Sequence, residues 1–111
     1  MLIEIERFSA LGGLEDSDVR RILDNFVFSL PGHLFLLESL KNKRASKELS
    51  MALHKLKGTA KSCGFVAVGR VAEAWSDASD SDGETYFSQL TDVIHASIRG
   101  WHLLTEASKL S

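Results

Sequence analysis

The sequence predicts an all-α protein, an antiparallel up-down four-helix bundle with an additional short N-terminal helix or segment. Three observations predict this class. Proline occurs once in 111 residues, apolar residues recur at a spacing of three to four over most of the chain, and runs of β-branched residues with alternating polarity are few. Short polar connections between the helices favour antiparallel neighbours.

The first helix is predicted to begin near Ser17, where Asp16 and Asp18 suit the positive end of the helix dipole. Pro31 is tolerated in the first turn of a helix, so a following helix is predicted to begin there. The polar segment KNKRAS is predicted to be a turn, with Ser46 as the next N-cap. The apolar stripes of the two helices consist of Val19, Ile22, Leu23, Phe26 and Leu30, and of Leu34, Leu37 and Leu40.

The next helix is predicted from Ser46 to Cys63, because Gly64 can adopt the positive φ that often follows a helix. A further helix follows, and the last one runs from about Glu84 to Lys109. Their inward residues are Val68, Val71, Ala72 and Trp75, and then Tyr86 or Phe87, Leu90, Ile94, Ile98, Trp101 and Leu104. Residues 1–111 are predicted to form a single domain with its core at about 8–107. The N-terminal segment is expected to pack on the bundle through Leu2, Ile3 and Phe8.

Composition excludes several classes of function. The net charge of −2 gives no electrostatic reason to expect a nucleic acid or an anionic membrane as partner. Glu4 and Glu6 interrupt the N-terminus where a signal peptide would need an apolar run. Cys63 is the single cysteine, so an internal disulfide is impossible. We therefore expect a cytoplasmic protein.

His54 is predicted to face solvent. At about 100° per residue, one side of its helix carries Leu49, Ala52, Leu53, Leu56, Ala60 and Cys63, and this side is the predicted core face. His54 lies nearly opposite. The residues within about 60° of it around the helix are Lys47, Ser50, Met51, Lys57, Gly58 and Lys61.

This arrangement favours a reactive histidine over a structural one. A neutral imidazole is a competent nucleophile near neutral pH. Lys57, one turn further along, can place a cation beside phosphoryl oxygens. Gly58 costs about 0.5–1 kcal/mol of helix stability relative to alanine. This cost is explained if the absence of a side chain at Gly58 lets a partner protein approach His54.

Other sites are less well supported. The predicted His54 face carries no carboxylate, so a Ser–His–Asp or Cys–His hydrolase is not indicated. His95 and His102 share a face without a third convergent ligand, and we predict no metal site. A calcium loop with Gly83 at its sixth position would begin at Ala78 and end at Gln89, which are not suitable ligands. His33 is expected to be a surface residue near a helix N-terminus, and Cys63 to be small apolar filling of the core.

The segment HKLKGTAKSCG resembles the signature of histidine-containing phosphotransfer (HPt) domains, broadly H-x-L-K-G-x-A-x-x-x-G. The matching residues are His54, Leu56, Lys57, Gly58, Ala60 and Gly64. Elsewhere the pattern of helices before and after the motif is similar, so the resemblance covers roughly residues 8 to 107. Ser76 stands near the position where family members often carry Gln or Glu.

The resemblance implies a carrier of phosphoryl groups in a multistep phosphorelay, without kinase activity of its own. It implies that His54 accepts the phosphoryl group, Lys57 contacts it and Gly58 gives access. Expected partners are response-regulator receiver domains and a sensor (hybrid) histidine kinase, with Mg²⁺ on the receiver and no cofactor here. The protein is expected to be a monomer that docks through Lys47, Ser50, Met51 and Lys61. The alternative is a helical scaffold that docks a regulator or kinase without carrying phosphate.

Overall fold

The computed structural model describes residues 2–4, 16–78 and 82–110. These residues form four helices and no strand, which confirms the predicted all-α class. The helices are α1 (Ser17–Asn42), α2 (Ser46–Ser62), α3 (Val66–Asp77) and α4 (Gly83–Leu110). Each helix packs on its neighbours in sequence and α1 also packs on α4, so the bundle closes on itself.

α1 is a single helix, and the prediction of two helices divided at Pro31 is wrong. A proline inside a helix removes one hydrogen bond and costs about 3 kcal/mol. Here the ring is exposed, while Leu30 just before it and Leu37 two turns later are both buried in the same core. Burial of this continuous stripe offsets the local cost, so tertiary packing overrides the break signal.

The start of α1 agrees with the prediction. Asp16 is the N-cap, and its Oδ1 accepts hydrogen bonds from the backbone N–H groups of Asp18 at 2.9 Å and Val19 at 3.0 Å. Such a cap satisfies donors that have no partner within the helix. The cap of α2 differs from the prediction: it is Ala45, without a side-chain hydrogen bond, and Ser46 is the first residue of the helix.

The core lies between the four helices and contains most of the predicted apolar residues. Its fully or nearly fully buried side chains include Leu23, Leu30, Leu37, Leu53, Leu56, Phe65, Val68, Leu90 and Ile94. Phe65 makes tilted ring contacts there, with ring centroids 5.1 Å from Phe26 and 6.1 Å from Trp101. Two predictions of inward residues are wrong, because Ile22 and Leu104 are exposed. Ile22 precedes Leu23 and Leu104 precedes Thr105, and both of these following residues are buried. A helix turns about 100° between neighbouring residues, so the residue before each buried one points away from the core.

The connection between α2 and α3 is a tight turn. Gly64 has a φ of 80°, as predicted for the residue after a helix. The N–H of Phe65 then donates to Ala60 O at 2.8 Å. The carbonyl of Gly64 also accepts a hydrogen bond from the N–H of Glu4 at 2.7 Å. Ile3 packs against the core as predicted, whereas Phe8 lies outside the described residues.

None of the helices in residues 16–78 and 82–110 has a stretch long and apolar enough to span a bilayer.

Candidate functional site

His54 lies on the outer face of α2. Leu53, Leu56 and Ala60 are buried on the inner face, while His54 is exposed. The helix periodicity that placed this histidine in solvent is therefore confirmed. An exposed imidazole on a rigid helix is accessible to a second protein without any rearrangement of the fold.

Lys57, one turn from His54, is half-buried and has an ion-pair partner. Its Nζ lies 3.3 Å from Oε1 of Glu73 on α3, and the two side chains are 30% and 40% exposed. Lys57 lies on the side of the helix that the periodicity predicts, but its pairing with Glu73 on the next helix is not predicted from the sequence. The lysine is thus directed partly toward α3 in this state.

Glu73 joins two lysines of α2 at once. Its Oε2 accepts a hydrogen bond from Lys61 Nζ at 2.8 Å, while Oε1 faces Lys57. Hydrogen bonds from Lys61 and then Lys57, together with their charges, hold the pKa of the Glu73 carboxyl below its ordinary value. The site therefore includes a carboxylate, although the sequence of α2 contains none beside His54.

A register argument could have found Glu73. α2 and α3 run antiparallel on either side of Phe65, so residues at equal distances from Phe65 along the chain lie opposite each other. By this rule residue 73 faces residue 57, and residue 69 faces residue 61. The contacts agree, because a Cβ built at Gly69 would lie 2.7 Å from Lys61 Cγ. Helix periodicity within α2 carries no such information, since the register depends on a neighbouring helix.

Gly58 is exposed, and its surroundings are open. A Cβ built on this residue meets no atom within 4 Å outside its chain neighbours and the backbone of its own helix. Packing of the bundle therefore does not require glycine at this position. The space beside His54 that a longer side chain would fill is available to another molecule.

The predicted docking residues divide into two groups. Lys47, Ser50 and Met51 are exposed, and Met51 has 64% of its surface accessible. Lys61 is half-buried and bound to Glu73. An exposed methionine beside charged residues is typical of adaptable binding surfaces.

Ser76 forms a hydrogen bond within its own helix. Its hydroxyl donates to the backbone carbonyl of Glu73 at 3.2 Å. Ser76 and Ser50 also line one groove, which lies beside the C-terminal end of α3 and the N-terminal end of α2. The acidic residue that α3 brings to the lysines of α2 is thus Glu73, one turn before Ser76.

None of the remaining candidates lies on the outer face of α2. His33 is in the middle of α1, not near a helix N-terminus as predicted, and burial together with the charge of Lys55 lowers its pKa. His95 and His102 are exposed on α4. Burial raises the pKa of the Cys63 thiol, which is buried in the core as predicted. Within the described ranges, no group of three or more His, Cys, Asp and Glu side chains is arranged to hold a metal ion.

Comparison with known proteins identifies one family. The family model described as Hpt domain matches residues 21–100, which include most of α1, all of α2 and α3, and most of α4. No curated protein and no solved structure matches the chain. The matched range contains His54, Lys57, Gly58 and Glu73.

Proposed function

The chain belongs to the Hpt domain family, whose members take part in histidine phosphotransfer, and from this we propose that His54 carries the phosphoryl group. In this proposal the protein receives the group from an aspartate of one receiver domain and passes it to an aspartate of another, within a multistep relay. The observation that carries the proposal is the exposed position of His54 between Lys57 and open space at Gly58.

The chemistry needs one nitrogen of a neutral imidazole. Its electron pair forms the N–P bond while the P–O bond to the receiver aspartate breaks, and the carboxylate leaves with the electrons of that bond. The attacking nitrogen carries no proton, so this step requires no general base from the chain. The reverse step transfers the phosphoryl group to the next aspartate.

Lys57 is proposed to contact the phosphoryl oxygens. A phosphoryl group spreads its negative charge over three oxygens, and a nearby ammonium stabilises that charge during transfer. Lys57 has to turn from Glu73 to reach them. Its pairing is partly exposed, and exposed ion pairs are weak, so this movement is inexpensive.

The proposed partners supply the kinase activity that a phosphoryl carrier does not have. An Hpt domain is a carrier without kinase activity, so the phosphoryl group originates from a sensor (hybrid) histidine kinase and arrives through a receiver. We expect Mg²⁺ to be bound by the receiver domain. The receiver is proposed to dock over Lys47, Ser50 and Met51, which surround His54 on the exposed face, with Lys61 at the margin.

The test is phosphoryl transfer from receiver domains of the same organism charged with acetyl phosphate. The protein is expected to gain a label that is stable in base and labile in acid, as expected for a phosphohistidine. His54→Gln should abolish the label. His33→Gln, His95→Gln and His102→Gln are matched controls that should retain it.

Two results would contradict the proposal. A label that survives in His54→Gln would show that another residue accepts the phosphoryl group. A protein that binds a charged receiver but gains no phosphate from any of them would be a scaffold, which is the alternative function.

A further inference from the structure

We infer that Glu73 is a positioning residue that holds Lys57 away from His54 in the unphosphorylated protein and releases it when the phosphoryl group arrives. The inference rests on the proposed function and adds to it a residue of α3 that opposes phosphoryl uptake. Its basis is the shared carboxylate, which lies 3.3 Å from Lys57 Nζ and 2.8 Å from Lys61 Nζ.

The two contacts of Glu73 have different tasks. Lys61 hydrogen-bonds to Oε2 and fixes the carboxylate beside α2. Lys57 is the looser partner, at the longer distance, and it is the lysine closer in sequence to His54. When Lys57 leaves, Lys61 remains paired with Glu73, so the carboxylate keeps a partner.

The phosphoryl group is the stronger competitor for Lys57. It carries up to about two negative charges and three acceptor oxygens, whereas a carboxylate carries one charge. Both Lys57 and Glu73 are partly exposed, and a pair of this kind is readily displaced. The lysine therefore exchanges one anion for another as transfer proceeds.

Glu73 has two effects on phosphoryl uptake, and both have the same sign. It withholds the cation that stabilises the incoming group, and the charge of the carboxylate opposes a second anion nearby. Removal of the charge should therefore accelerate uptake. In this way α3 limits how strongly the phosphoryl group is held on His54 and favours passing it on.

The experiment measures the rate of His54 phosphorylation by phosphoramidate, a donor that requires no partner protein. The P–N bond of the donor breaks, ammonia leaves, and the N–P bond to His54 forms. The rate can be followed by ³¹P NMR for wild type, Glu73→Gln, Lys57→Ala and the double variant. Glu73→Gln should increase the rate about three- to fivefold, as expected for a weak, partly exposed pair.

A double-mutant cycle separates the action through Lys57 from direct repulsion. In the Lys57→Ala background, Glu73→Gln should give a clearly smaller gain. Glu84→Gln is the matched control, because it removes the carboxylate of another interhelical Lys–Glu pair, between Lys41 on α1 and Glu84 on α4, and should leave the rate unchanged. Urea midpoints show that each variant remains folded.

Three outcomes would overturn the inference. An unchanged or slower rate in Glu73→Gln would show that Glu73 does not withhold Lys57. A gain that persists in full in the Lys57→Ala background would show that it acts by repulsion alone. In both of these cases, labelling of the wild-type protein at His54 would leave the proposed function intact. In the third outcome the wild-type protein takes up no phosphate, and this would reject the proposed function and the role of Glu73 together.

Discussion

Two glycines of the α2–α3 pair occupy opposite environments. At Gly69 an added Cβ would lie 2.7 Å from Lys61 Cγ, so the Lys61 side chain would have to move, and it would reach contact distance, 3.6 Å, from the carbonyl oxygen of Lys57. At Gly58 an added Cβ would lie in open space. Both residues lower helix propensity by about the same amount. Packing gives a reason for Gly69 but none for Gly58, for which we propose access to His54.

The largest expected effect comes from Gly58→Gln, and it concerns function. The side chain would project beside His54, where the donor group has to approach in line. Transfer from a charged receiver should fall by roughly ten- to a hundredfold. The free energy of unfolding should stay the same or rise by roughly half a kcal/mol, because glutamine is the better helix former.

Rates of transfer and urea midpoints of the Gly58→Gln protein test both parts of this expectation. A clear loss of stability would place Gly58 in a packed contact. A stable protein that transfers at the wild-type rate would remove the argument that this glycine provides access.

The same substitution at the other glycine should have the opposite result. Gly69→Gln inserts a side chain against Lys61 and the backbone of α2, and overpacking of this kind costs about 1–3 kcal/mol. Urea denaturation should show that loss, while the folded fraction keeps most of its transfer rate. An unchanged midpoint would mean that α3 can move away from α2 without cost, and the contrast between the two glycines would disappear.

Lys57→Ala tests the lysine that precedes Gly58 and whose carbonyl oxygen lies near Gly69. Its ion pair with Glu73 is partly exposed, so the free energy of unfolding should change by no more than about 0.5 kcal/mol. Phosphoryl transfer should slow by about tenfold, since a positioned charge opposite the transferring group is lost. Stopped-flow or gel assays of transfer measure this. A variant at full rate would exclude an electrostatic role for Lys57.

The smallest effect is the pH dependence of stability at Glu73. Its pKa is lowered in the folded protein by Lys61 and Lys57, so the unfolded chain binds more protons in the window below the ordinary carboxyl pKa. The stabilisation is therefore present above that window and is lost as the pH falls through the folded pKa. Wild type should exceed Glu73→Gln in urea midpoint near neutral pH, and the difference should shrink as the pH falls below the ordinary carboxyl pKa. A difference that is independent of pH would show that the carboxylate does not act through its charge.

The sequence was sufficient for features that depend on one helix at a time. The inner and outer faces of α2, and hence the exposure of His54, follow from periodicity, and Gly64 marks the helix end by its own conformation. The predicted break at Pro31 is wrong because the local signal carries no information about the core in which Leu30 and Leu37 are both buried. A single sequence does not show how strongly packing against distant helices offsets a local signal for a helix break.

The contacts of Glu73 and Gly69 could not be read from either helix alone. Both depend on the register between α2 and α3, which the turn at Gly64 establishes. Contacts between helices therefore could not be predicted from the periodicity of a single helix. The site that it did recognise consists of side chains on α2 alone.

Cys63 follows α2 directly and supplies a natural reporter of local opening. It is the single cysteine in the chain, it is buried, and burial raises the pKa of its thiol. The thiolate is the species that reacts with alkylating reagents, so the closed protein should resist them. Alkylation then measures how often the junction of α2 and α3 opens. Labelling kinetics monitored by mass spectrometry would thus report the dynamics of the helix that carries His54 without an introduced probe.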